Sequence, residues 1–396
     1  MKPVLEGIKV LDFARYISGP YASLLLADMG AEVIRVERPG GEDDRQLGPF
    51  APNGQSISVM CQTRNKKAIT LNLQSEKGKN LLADLVKHVD VVVENFGPGG
   101  KEAMGLDYKR LKALNPGLIM LSISGFGTSG PLAKRLAFDP VAQAFSGAMS
   151  ITGFPDAPPT RSSVPWVDFG TGVYGAMAVV LALYHRKETG ECQLIDLAML
   201  DTAVSYMATF GVPAEHQVTG VIRPRDGNHS YYNFSNCFKT ADGWVFISGI
   251  GDNLFRRLAE AIGKAEWNDD PRFADNTTRF HNRLAIDEGI DAWIGSKTSA
   301  EAIEVLEKKR VPCCKVNDAA EIVGHPQVEA REMIVQMDYP GVGKVPVSGI
   351  PLKLPKSPGK IKRRAPDVGE HNEEVYHELL GLSRDEVKAL KKDGAI

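Results

Sequence analysis

The chain has 396 residues, 43% of them apolar and 24% charged, and 47 Lys and Arg against 49 Asp and Glu leave a formal charge of −2. That length is enough for two or three domains with a sizeable core, and so even a balance gathers neither nucleic acid nor anionic membrane, so any anion site must be local. Five cysteines without a CxxC, an N-terminus with no apolar leader and an apolar stretch at 169–184 that reads as too short and glycine-rich to span a bilayer point to a cytoplasmic globular enzyme; collagen, disorder and a disulfide scaffold are excluded.

In chain order, the first half alternates short β-rich runs with helical patterns. Residues 8–13 read as a buried strand, 21–29 as a helix entered through Gly19-Pro20, and 32–37 as the next strand. Residues 69–73 are extended, 75–88 form a helix with Leu81, Leu82, Leu85 and Val86 on one face, and 90–94 form a further strand. A short helix at 108–114 leads to a strand at 118–123 that ends in Ser124-Gly125-Phe126-Gly127. Strand, helix and strand with brief links predict βαβ units, a parallel sheet, and ligands beyond the strands' carboxyl ends. Those ends, at 13–20, 37–41, 95–100 and 124–130, are polar or glycine-rich. An apolar helix at 169–185 follows Asp168, then a strand and a helix through Tyr206. Gly, Pro and alternating charges at 210–228 read as a linker. A hairpin at 237–247 turning on Asp242-Gly243, with helices at 253–262, 283–293 and 300–309, predicts a second, α+β domain. Residues 341–362, dense in Pro, Gly and Lys, read as an extended tail before two short helices at 370–380 and 383–392.

Asp168 stands directly before the apolar helix, in Val164-Pro165-Trp166-Val167-Asp168-Phe169-Gly170-Thr171-Gly172. As an N-cap it would accept bonds from the first backbone N–H groups, at the positive end of the helix dipole. As a nucleophile it would stay ionised beside those groups and use them as oxyanion donors, while Gly170 and Gly172 admit substrate close to the backbone. Arg35 and Arg38 are either solvated charges at the sheet rim or a phosphate clamp, and position favours Arg38. Ser248-Gly249-Ile250-Gly251-Asp252 has the look of a phosphate-binding turn, yet the chain has neither GxGxxG in its first βα turn nor GxxxxGK[ST], which disfavours dinucleotides and nucleoside triphosphates. The six basic residues from Lys353 to Arg364 alternate with prolines rather than aromatics and read as a solvated tail, so nucleic acid is not an expected partner. The histidines contain no HxH or HxxxH pair and GxSxG is missing, so neither a metal site nor a serine nucleophile elbow is expected.

A long ordered series of motifs runs from Leu5 towards the C-terminus. It includes Leu5-Glu6-Gly7-Ile8-Lys9-Val10-Leu11-Asp12-Phe13, Leu26-Ala27-Asp28-Met29-Gly30-Ala31-Glu32, Val36-Glu37-Arg38-Pro39 and Val92-Val93-Glu94-Asn95-Phe96-Gly97-Pro98-Gly99. Ser122-Ile123-Ser124-Gly125-Phe126-Gly127-Thr128-Ser129-Gly130-Pro131 and Asp168 with its Gly-x-Gly helix continue it. Taken together, the chain resembles a family III CoA-transferase. The resemblance implies an α/β fold: a Rossmann-like large CoA-binding domain with a parallel sheet (1–209 and 325–396), a linker (210–228) and a smaller α+β domain (229–324), in an interlocked homodimer. By position, the nucleophile falls on Asp168, CoA contacts fall on Tyr16, Ile17, Ser18, Arg38, Leu71, Asn95, Phe96 and Met104, and an active-site loop falls on Gly249 and Gly251. Gln74 and Ala103 stand where some members are basic, and Lys101 or Arg135 are the substitutes.

The implied reaction moves CoA between carboxylic acids through an aspartyl anhydride and an aspartyl-CoA thioester formed in turn. A CoA thioester is the substrate, a dicarboxylate such as succinate is one partner, and no metal, ATP or resident cofactor is required. The alternatives are an α-methylacyl-CoA racemase, whose His-Asp pair would fall on Phe138 and Asp139, and a CoA-binding subunit of a hetero-oligomer. Phe138 cannot take a proton, which favours transfer. Ile17 stands where formyl-CoA transferase has glutamine, and Phe138 and Trp166 flank the acyl pocket, which favours an acid larger or less polar than oxalate.

Overall fold

The computed structural model describes residues 2–396. Six parallel strands, β1 (Lys9–Asp12), β2 (Glu32–Glu37), β3 (Lys66–Thr70), β4 (Val91–Glu94), β5 (Ile119–Ser124) and β6 (Leu194–Ala198), form one sheet in the order β3-β2-β1-β4-β5-β6. The strand order reverses between β1 and β4, so a crevice is expected at the carboxyl ends of those two strands. Alternation fills both faces. Val10, Val33, Val91 and Leu121 bury into one core with Leu26 and Val179, while Leu11, Ile34, Val92 and Met120 bury into the other with Leu85 and Tyr376. A period of two with apolar residues on each side is what a sheet covered on both faces requires.

β3 begins at Lys66 rather than Ile69 because Lys66 and Lys67 are both paired in place. Lys66 Nζ is 2.9 Å from Asp12 Oδ2 and 2.8 Å from Ser23 Oγ. Lys67 reaches Glu32, Glu374 and Glu378 at 2.7, 2.8 and 2.9 Å. The helix expected at 169–185 spans Trp166–Thr189, and its 24 residues are long and apolar enough, by length and composition alone, to cross a membrane. The expectation that this stretch is too short therefore fails. Residues 341–362 are not all tail: β10 (Ile334–Tyr339) and β11 (Gly343–Ser348) form an antiparallel hairpin. Val345 and Val347 bury beside Tyr339 and Met60, an alternation masked in the sequence by Lys344 and Pro346.

The chain divides into two compact units, residues up to 146 with Ser162–Glu215 and Pro326–Ile396, and Gly147–Arg161 with His216–His325. The stretch 210–228, read as a linker, carries the helix Val212–Thr219, because Gly211 and Gly220, at φ +85 and +76, flank it rather than interrupt it. The smaller unit packs β7 (Ser235–Lys239), β8 (Trp244–Ser248) and β9 (Cys313–Lys315) with helices Asp252–Ala261, Arg283–Ile294 and Ser299–Lys308 around Phe238, Ile247, Phe255 and Ile290.

Within that unit, His229 Nε2 lies 2.6 Å from Asp287 Oδ2 and Nδ1 lies 3.2 Å from the Asp226 carbonyl. The Asp287 hydrogen bond raises the imidazole pKa. A raised folded value contributes stability that is complete below the ordinary value near 6.5 and is lost as pH rises through the folded value. We expect a loss of about 1 kcal/mol over that rise, and His229→Gln should flatten it. Thermal unfolding followed by tryptophan fluorescence at several pH values checks this; the same pH dependence in the variant contradicts it.

Candidate functional site

Asp168 is not the N-cap of its helix. Pro165 holds that position with no side-chain bond, and Asp168 sits in the first turn. The capping carboxylate comes from Asp139, at the start of the helix Asp139–Phe145: its Oδ2 accepts the Val167 and Asp168 N–H groups at 2.9 and 3.2 Å, and Gln143 donates to its other oxygen. Two N–H groups expected to serve an oxyanion are therefore occupied. Asp168 is only 8% exposed. Burial, then the like charge of Asp139, pushes its pKa up to about 7 against hydrogen bonds from the Ser18 side chain and backbone. The carboxylate is thus poised near neutrality instead of held fully ionised.

The glycines of this helix explain how Ser18 comes so close. A Cβ on Gly172 would lie 2.8 Å from the Ser18 carbonyl and 2.9 Å from Tyr21 Cδ1, and one on Gly170 would lie 2.7 Å from the Tyr206 hydroxyl. Both positions make room for neighbouring parts of the chain, not for the substrate approach expected of them. The helix Ser18–Asp28 can then rest directly on Trp166–Thr189.

The turn ahead of Ser18 is braced from several sides. Asp12 Oδ1 accepts the Ala14 N–H at 3.0 Å. Asn95, just past β4, exchanges two bonds with the Arg15 backbone, each 2.8 Å, which ties together the loops leaving β1 and β4. Tyr16 takes a left-handed φ of +65, a strained conformation for a residue with a side chain. Its N–H lies 3.3 Å from Asp44 Oδ2, and Arg35 holds Asp44 at 2.7 and 2.9 Å. Arg35 is 1% exposed. It is therefore neither a rim charge nor a phosphate clamp; its partners draw it inward, and it supports the turn.

Two cavities of the larger unit are lined by residues singled out in the sequence. One, of about 370 Å³, is lined by Arg15, Arg38, Leu71, Gln74, Phe96 and Met104 among others. The other, of about 150 Å³, brings Asp168 together with Tyr16, Ser18, Asn95, Phe96 and Arg135, and Phe138 on its wall stands edge-on to Tyr16 with centroids 5.4 Å apart. Phe96 is common to both. Ile17 is not among the described lining residues of either; it occupies the N-cap position of Ser18–Asp28. Gly249 and Gly251 lie in the smaller unit, where Gly249 N–H bonds the Phe234 carbonyl at 2.9 Å and Gly251, at φ +79, opens the helix Asp252–Ala261. Arg38 is paired with Asp43 and bonds the Gly41 carbonyl at 2.9 Å.

Lys101, one proposed basic substitute, donates to Ser122 Oγ at 3.1 Å and lies 3.9 Å from Glu94, and it lines neither cavity. Two residues of the site were missed in the sequence: Arg15, 2.8 Å from Glu42 and 4.7 Å over the Phe96 ring, and Asp139 in its capping role. The place of Arg15 in the first βα turn was a usable signal. Nothing local marked Asp139 as the cap of a helix that begins a loop later.

The chain matches the profile of CoA-transferase family III over residues 5–372. It is 37% identical over 390 residues to the succinyl-CoA–D-citramalate CoA-transferase of Chloroflexus aurantiacus, covering 98% of this chain and 96% of that protein. It is 35% identical to the succinate–glutarate CoA-transferase of Agrobacterium fabrum, with 97% of each covered. A solved CaiB/BaiF family protein from Brucella suis superposes with a TM-score of 0.85 at 34% identity, over 96% of this chain and 100% of that one. Profile, sequence and fold agree along nearly the full length, and the chain belongs to CoA-transferase family III.

Proposed function

We propose that this enzyme transfers CoA between carboxylic acids, one of them a dicarboxylate such as succinate, with Asp168 as the nucleophile. The observation that carries the reading is the buried Asp168 carboxyl on the smaller cavity, which shares the Phe96 wall with the Arg38 cavity. Arg38, Leu71, Phe96 and Met104 would hold the body of CoA, with Arg38 exchanging Asp43 for a phosphate, and Tyr16, Ser18 and Asn95 would flank the thioester. Relatives named for succinate and glutarate support the dicarboxylate class.

Asp168 attacks the donor's thioester carbonyl; the C–S bond breaks and CoA leaves as thiolate, giving a mixed anhydride. The thiolate then attacks the aspartyl carbonyl, the anhydride C–O bond breaks, and the donor acid departs as carboxylate. The acceptor carboxylate runs the same steps in reverse. Thioester energy is conserved in covalent form, so no ATP is consumed. Ser18, at the N-terminus of its helix, is placed to donate to the oxyanion in place of the N–H groups taken by Asp139. The burial of Asp168, 8% exposed, limits its contact with water, which would hydrolyse both intermediates.

The loop at Gly249 and Gly251 belongs to this reading through its place in the family pattern. So does an interlocked homodimer, supported by an exposed apolar stripe of Val173, Met177, Leu181 and Tyr184 along Trp166–Thr189. Five free cysteines suit the cytoplasm. Mixing the enzyme with succinyl-CoA and glutarate should yield glutaryl-CoA and succinate one for one without ATP. Hydrolysis to free CoA with no new thioester contradicts the proposal.

Asp168 must be ionised to attack, so kcat/KM should rise with pH to a midpoint near 7. Asp139→Asn keeps a capping oxygen but removes the like charge, which should lower that midpoint in part, burial of Asp168 holding the rest of the rise. A pH–rate profile of the variant with an unmoved midpoint contradicts the assigned cause.

A further inference from the structure

We infer that Arg135 reads the distal carboxylate of a dicarboxylic acyl group; this rests on the transferase reading and makes it more specific. Arg135 and Asp168 are the two charged residues lining the smaller cavity among the described residues. Much of the remaining wall is apolar, including Ile123, Leu136, Phe138 and Met199. Arg135 stands with Leu136 and Phe138 on the exposed rim of this cavity, across from the buried Asp168, where the far end of a bound acyl group would meet it.

The other cations at this edge of the sheet are already engaged. Arg15 pairs with Glu42, Arg35 with Asp44, Arg38 with Asp43 and Arg45 with Glu37. Arg135 makes no ion pair among the described residues. Its guanidinium lies 5.5 Å from the centroid of the Phe126 ring, and Phe126 is itself buried edge-on against Phe145. The planar group is therefore steadied on a fixed ring, with donors left for a carboxylate that can accept two parallel bonds.

The reaction adds a charge argument. Asp168 loses its charge when it becomes an anhydride or a thioester, and Arg135 is then the one charged side chain lining the cavity among the described residues. A dicarboxylic acyl group neutralises it, whereas a monocarboxylic one leaves it unpaired. This use differs from the CoA contact expected for Arg135, which would have placed it with Arg38.

Isotope self-exchange separates these uses without knowledge of the natural pair: labelled succinate into succinyl-CoA against labelled butyrate into butyryl-CoA. In Arg135→Gln the succinate-to-butyrate ratio of kcat/KM should fall roughly tenfold to a hundredfold, and Arg135→Lys should retain part of it. Circular dichroism and the thermal midpoint report that both variants are folded. An equal fall for both acids means a CoA-phosphate or structural role and overturns the assignment, as does an unchanged ratio. Wild-type exchange of butyrate but not succinate overturns the dicarboxylate reading and the assignment with it. No exchange of either acid, with no acyl adduct on Asp168, overturns the transferase reading itself.

Discussion

Asp168→Asn should lower CoA exchange by roughly 10³-fold or more while leaving the protein folded. The amide has nearly the shape of the carboxyl but cannot form the anhydride. Stability should move the other way. The folded pKa of Asp168 is raised to about 7, so its ionised form is disfavoured in the native site. That penalty is absent below the unfolded value near 4, grows as pH rises, and is complete above about 7. At pH 8 the asparagine variant should therefore be more stable than the wild type, by up to a few kcal/mol. Exchange kinetics and thermal midpoints, measured on the same preparations, test both halves. Full activity in the variant would remove Asp168 from the chemistry; a large loss of stability would make it a structural residue.

Asp12→Ala should destabilise the larger unit by about 3–5 kcal/mol, because it leaves Lys66 buried without its carboxylate. Neither side chain of that pair is exposed to solvent. Asp12 also accepts from Ser23 at 2.6 Å and from the Ala14 N–H, so its loss loosens the turn that presents Tyr16 and Ser18, and activity should fall with stability. Asp12→Ala combined with Lys66→Met, which replaces the pair by apolar groups, should recover most of the stability. Urea unfolding of the single and double variants decides this. A single variant within about 1 kcal/mol of wild type would mean that Lys66 finds another partner.

What was legible in the sequence was local and periodic. β2 and the helix Tyr108–Leu114 form at the residues expected of them, because an apolar run or an amphipathic turn carries its own signal. β3 was displaced because Lys66 and Lys67 look like surface until their carboxylates, which lie on other segments, are brought to them. Arg35 was misread for the same reason: Asp44 lies across a loop, and a strand residue does not announce which way its charge is satisfied. Asp168 was singled out as a residue at a helix start, but its poise near neutrality comes from burial and then from the like charge of Asp139, opposed by Ser18, and none of these is visible locally in the chain. Spacing alone marked the carboxyl ends of the strands as the ligand side. The family resemblance, not spacing, grouped Arg38, Leu71, Phe96 and Met104 as CoA contacts, and the assembled sheet gathers them on one cavity.

The most direct test is mass spectrometry of the enzyme after mixing with succinyl-CoA and quenching with hydroxylamine, followed by peptide mapping. Attack on an activated aspartyl carbonyl should leave a hydroxamate on Asp168, and the Asp168→Asn protein should leave none. A hydroxamate on another carboxylate, or transfer to an acceptor acid with Asp168 unmodified throughout, would contradict covalent catalysis at this residue.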